Sequence, residues 1–443
     1  LILLVSVLGT SGCNSNGTTT TSSDSFTFVT LPTDFGVPAS ADTVNTWIAE
    51  GNDAAIQQHS WDIWASLTTS SGEYFQGRLL PVWETWFSPD EIFTPDGVCV
   101  GETRTSGLHP FVEPHVNFKN GAADDAVTSF NKYNDLYANN VCDNQYNVGA
   151  TLTNLNTAFN NANTPGADRI INEFVVGTIA TKPVMMLVNQ TGLTALPYWD
   201  GFTSDKTTNM VNPSSGTWKQ CVAVDPVNRR GGGSVMMPCN GFNVQQKIFN
   251  LSDFYYFPLS QEEIDDFGSD ASGELAGAQP GDYAILVGMH VTVKENETWS
   301  WQTFWWTPDP QNAAFPSQAR TPSNTAVLTS PWDHYTNCTA YYMTIPASDT
   351  NGVPKICFNP YLEPGLPGLD GVHSNCMTCH SLATWGEGGQ FGGGLNYQAN
   401  GYVDFNDPEF DAVTRLDFLW SLTRAVEPGT ALGISRFLEE EKR

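Results

Sequence analysis

Cys376-Met377-Thr378-Cys379-His380 is the densest concentration of reactive side chains in the sequence. Two thiols three positions apart share one face of a helical turn, and the imidazole after the second lies beside them. The C-x-x-C-H spacing suits covalent attachment of a haem. The thiols add across its two vinyl groups, and His380 comes under the iron as proximal ligand. A zinc site would want a second Cys/His pair at ligand spacing, and none is evident. A thioredoxin-like redox pair would want a βαβ setting, which this region lacks. A disulfide between Cys376 and Cys379 would leave His380 unexplained.

With this motif the chain resembles the monohaem c-type cytochromes, and in particular a group of exported "cytochrome c family" lipoproteins with a C-terminal C-x-x-C-H. The likeness includes Leu80-Pro81-Val82-Trp83-Glu84-Thr85-Trp86 and Ala180-Thr181-Lys182-Pro183-Val184. It is carried further by Val287 to Glu295 (VGMHVTVKE) and Trp299 to Trp306 (WSWQTFWW), and covers most of residues 75–425. The resemblance implies one covalent haem c and leaves the role open.

The residues after His380 contain neither Met nor His, so any sixth ligand comes from upstream. The candidates are His59, His109, His115, His290, His334 and His373, with Met289 and Met343. His290 lies in a mostly apolar, β-branched run that reads as a buried strand. A histidine there either finds a hydrogen-bond partner or meets a metal. His115 and His334 read as surface loop residues, and His373 is too close to Cys376 to cross the haem easily. An iron with five ligands would be open to catalysis or ligand sensing.

The elements that must position these residues follow from periodicity. Helices are expected over 42–50 and 52–67, interrupted at Gly51, over 124–140 and 151–160, and over Asp411 to Arg424. Ser88-Pro89-Asp90-Glu91 and Ser260-Gln261-Glu262-Glu263 are capping boxes. Strands are expected over 174–179, 184–188 and 282–294, the last turning at 294–298 into 298–306. The Trp299, Trp301, Trp305 and Trp306 cluster reads as core packing rather than a glycan or electron-hopping surface. Asp404, Asp407, Glu409 and Asp411 do not have the spacing of an EF-hand calcium loop. Gly231-Gly232-Gly233 lacks the Lys-Ser/Thr of a phosphate loop.

Leu1 to Leu8 is too short to span a bilayer and reads as the apolar part of an export signal. Cys13 after Gly9 to Gly12 resembles a lipobox, which implies lipid attachment at Cys13 and, with Asn14 following, release to the outer membrane. Cys99, Cys142, Cys221, Cys239, Cys338 and Cys357 then form an even set in an exported chain. Six cysteines allow 15 pairings, and sequence does not choose among them; the sequential pairing Cys99–Cys142, Cys221–Cys239 and Cys338–Cys357 closes the shortest loops and is the one expected. The expected organisation is a signal remnant (1–12), a lipidated tether (13–25), a helical then β-rich body (26–366) and a haem c segment packed on it (367–443). The fold class is α+β.

The chain has 443 residues and a net charge of -28. That balance disfavours nucleic acid and suits redox protein partners with a basic docking surface. Electron transfer through one haem c is the leading functional expectation. A haem peroxidase or oxygenase with an open distal site is the second, and a surface-assembly protein of a larger redox complex the third. The location expected is the outer membrane, facing the periplasm or the cell surface.

Overall fold

A computed structural model describes residues 26–94, 128–201, 218–261, 263–264, 277–318, 320, 328–363, 373–386 and 401–425. The fold is α+β, with a sheet-rich body and a few helices. Cys13, Cys99, His109 and His115 lie outside the described residues, as do Leu1 to Leu8.

Helix α1 (Ala41–Glu50) starts where the Ser40 hydroxyl accepts from Thr43 N, and stops at Gly51, whose φ of 63° is readily adopted by glycine. Asn52 then caps α2 (Asp53–Thr68), which buries Ile56, Trp61, Ile63, Trp64 and Leu67. Ser88 and Glu91 make the expected capping box around α3 (Pro89–Ile92). Ser260 and Glu263 bond reciprocally in the same way. Helices α4 (Asp135–Asp143) and α5 (Gly149–Ala162) follow.

The main sheet is antiparallel, in the order Tyr335–Thr339, Ser300–Trp306, Tyr283–Val293, Ile179–Val188. Thr128–Ser129 and Lys132–Tyr133 add to the far edge, and Tyr256–Pro258 pairs with the start of Tyr283–Val293. Side chains alternate between the two faces. Met289, Phe304 and Asn337 share the face that α2 covers. The Phe304 ring stacks on Trp64 at 4.3 Å between centroids, and Asn337 donates to the Ser60 hydroxyl at 2.8 Å. The opposite face carries a row across four strands: Lys182, His290, Thr303 and Cys338. A second sheet orders Thr194–Pro197, Cys221–Asp225, Phe242–Asn250 and Ser234–Cys239. One apolar cluster includes residues from Val37 to Leu422, with the four tryptophans of 299–306 inside it.

Three expected elements differ. Within the described part of the helix placed over 124–140, helix begins only at Asp135, because the main sheet takes 128–129 and 132–133 into strands and Asn134 caps the Tyr137 N–H. Residues 174–178 form a turn, and one strand runs from Ile179 through Pro183 to Val188. The helix expected over Asp411 to Arg424 is absent. Instead, Thr414–Arg415 pairs with Thr384–Trp385, flanked by 3-10 turns at Pro408–Ala412 and Trp420–Arg424. Asp417 and Phe418 sit in the left-handed region, with φ 47° and 68°, which no helix can accommodate.

Cys221–Cys239 and Cys338–Cys357 are disulfide-bonded as expected, with Cα separations of 5.8 and 5.7 Å. Cys142 is also disulfide-bonded. Among the described residues, no helix is long and apolar enough to cross a membrane.

Candidate haem site

The motif forms helix α6 (Cys376–Ser381), and the segment before it fixes where that helix sits. Buried Asn375 accepts from Thr378 N at 3.1 Å and donates to the Lys355 and Tyr342 carbonyls at 2.7 and 3.1 Å. Cys357 N donates to Ser374 O at 2.9 Å. The Cys338–Cys357 disulfide ties this same segment to the row that holds His290. Asn359 completes the attachment, donating to the Thr303 hydroxyl at 2.8 Å and the Phe304 carbonyl at 2.9 Å. A Cβ on Gly288 would lie 2.8 Å from Asn359 Nδ2, so that close approach needs glycine. Sheet and motif helix are thereby brought together on one face.

Met377, Thr378 and Ser381 turn inward and are buried, while Cys376, Cys379 and His380 are half-buried. Neither thiol is in a disulfide. Burial, with a further contribution from the Glu363 charge, pushes the Cys376 thiol up and raises that of Cys379 to about 11. A redox-active pair would show the opposite shift. Among the described residues, no three His, Cys, Asp or Glu side chains converge as a cage for a metal ion.

His380 Nδ1 donates to the Phe418 carbonyl at 2.8 Å. A carbonyl can only accept, so this bond selects the tautomer with a bare Nε2. Burial lowers the imidazole to about 3, opposed by the bond to Phe418 and reinforced by His290 and Lys182. The ring is therefore neutral at physiological pH. Trp301 packs against it at 4.3 Å between ring centroids, and Trp420 Nε1 donates to the Cys379 carbonyl at 3.2 Å.

The acceptor is itself held from behind. Asp417 accepts from Lys294 Nζ at 2.9 and 3.0 Å, from Trp299 Nε1 at 3.2 Å and from Phe174 N at 3.0 Å. These bonds fix the left-handed 417–418 turn that aims the Phe418 carbonyl at His380. The expected helix over these residues would have directed that carbonyl elsewhere.

His290 finds a hydrogen-bond partner: its Nε2 lies 2.6 Å from Glu363 Oε1, and Asn359 N donates to the other Glu363 oxygen. It is not a core histidine, because its side chain keeps 22% exposure and that of Glu363 18%. With Lys182 across the strand, the pair stands beside the motif. Of the remaining described candidates, His373 stays three residues before the motif, and the others fall elsewhere. His59 bonds buried Glu295 at 2.7 Å, Met289 lies on the face covered by α2, and Met343 is buried. His334 is not a surface loop residue; it is half-buried, packed on Trp306 and Phe249, and burial lowers its pKa. Asp404 and Asp407 accept turn N–H groups from Asn406 and Glu409, and Asp411 accepts from Gly166 N.

Sequence reasoning missed Phe418, Trp301's contact with His380, Asp417 and Glu363. Gly288 beside His290 was a readable sign of close backbone or side-chain approach within a strand. Comparison with protein families, curated proteins and solved structures returns no match.

Proposed function

We propose that this chain carries one haem c on Cys376 and Cys379, with His380 as proximal ligand, and serves electron transfer. The observation that carries the reading is the His380–Phe418 bond. It leaves Nε2 bare on the helix face that also presents two unpaired thiols. When bound, haem supplies a one-electron iron couple. The chain's own residues then have defined tasks: the Phe418 carbonyl orients His380, Trp301 backs the ring, and the buried surround limits water. The disulfides fit an oxidising, exported setting. Attachment through Cys13 to the outer membrane, and redox partners drawn to the acidic surface, belong to the same proposal.

The His290–Glu363 pair favours a second reading, haem enzyme. A partly exposed imidazole–carboxylate pair beside the motif has the composition of a general acid/base. With Nε2 already engaged by Glu363, His290 is better suited to that role than to ligating iron.

The test is the visible spectrum of protein made in a host with cytochrome c maturation, oxidised, reduced, and reduced under carbon monoxide. Haem that survives denaturation in the wild type and is lost in Cys376→Ser/Cys379→Ser is expected. No covalent haem overturns the proposal. A reduced spectrum unchanged by carbon monoxide supports electron transfer, whereas a shift moves the assignment to the enzyme.

A further inference from the structure

The positive charge on this acidic chain is distributed unevenly. Among the described side chains, the exposed cations are Lys219, Arg229, Arg230 and Lys247; every other described Lys or Arg is buried or half-buried. All four belong to the second sheet and its loops. Residues 218–250 hold these four cations and a single carboxylate, Asp225, whereas the whole chain has 19 basic against 47 acidic residues. Asp225 is buried and bonded to Arg230 at 2.7 Å, so it contributes no exposed negative charge to this surface.

The surface also has backbone to offer. Ser234–Cys239 is the end strand of its sheet, and no further strand pairs with its outer edge among the described residues. Gln246 takes the Met237 and Pro238 carbonyls, which leaves Ser234 to Met236 as the open part. Ser234 and Lys247 are paired across the hairpin, as are Met236 and Gln245, and all four are exposed. An open edge flanked by cations recognises an extended chain through its main chain and its carboxylates. Lipid insertion would want several aromatic anchors on one face, but here the exposed Phe242 lies under Lys219 Nζ at 5.2 Å.

We propose that this edge docks an extended acidic segment of a partner protein. The docking module is joined to the segment that positions the motif: Trp218 packs on Tyr361 at 5.1 Å and Trp199 on Phe358 at 6.0 Å. The module that would hold a partner thus packs on the 358–363 segment, which also carries Glu363. The proposal does not depend on the haem.

The experiment is fluorescence anisotropy of a labelled synthetic peptide of alternating Glu and Thr, titrated with the full chain at low and high salt. Binding that weakens with salt is expected. It should weaken at least about tenfold in Lys219→Gln/Arg229→Gln/Lys247→Gln, which leaves Arg230–Asp225 intact. A control, Asn154→Glu/Ala158→Glu/Asn161→Glu, makes the same change in net charge on the exposed side of α5 and should bind as wild type does. Absence of peptide binding, equal loss in the control, or capture by anionic phospholipid vesicles in place of the peptide overturns the proposal.

Discussion

At the scale of single residues, the chemistry rests on a neutral His380 whose ring is fixed by one backbone carbonyl. Asp417 acts through that carbonyl and is a positioning residue. Asp417→Asn keeps the shape but loses the buried charge facing Lys294, which leaves the buried cation with the exposed Glu173 carboxylate at 3.6 Å. The expected outcome is a loss of stability of about 3 kcal/mol, together with a shift in the reduction potential of the haem proposed above. Denaturant titration reads the first and redox titration the second. A potential unchanged in the folded variant would assign Asp417 a purely structural role. Gly288→Ala is a sharper steric test, since its Cβ meets Asn359. It should cost roughly 1–3 kcal/mol by denaturant melt, and wild-type stability would show that Asn359 moves freely.

At the scale of elements, capping and periodicity made α1, α2, α3 and the 283–306 hairpin legible, because each closes its own backbone bonds locally. The 411–424 segment was not legible. Its apolar spacing suits a helix, yet its backbone groups are taken by Thr384–Trp385, Arg169 and His380. The second sheet depends on a different local bond set. Asp225 is held well below the usual carboxylate range by Arg230 and by the N–H groups of Arg229, Arg230 and Val227. A depressed folded pKa gives stability that is present above the unfolded value and lost as pH falls through the folded one. Hydrogen exchange over 221–250 should therefore accelerate as pH is lowered below the ordinary carboxylate range, after correction for intrinsic rates. Asp225→Asn should remove most of that acid dependence, and an unchanged profile would place the sensitivity elsewhere.

For the whole molecule, the net charge of -28 predicts weak association with polyanions, while the cations of 219–247 allow one local exception. The fold class and the motif itself were determined by residue type and spacing, while the cysteine pairings 221–239 and 338–357 were expected from shortest-loop closure and fixed only by the fold. Only the tertiary structure decided what faces the motif. Phe418, Trp301, Asp417, His290 and Glu363 come from segments far apart in the chain. They are joined by strand register, a disulfide crossing and a left-handed turn. Such placement is set by long-range packing and backbone pairing, whose partners no local sequence window contains.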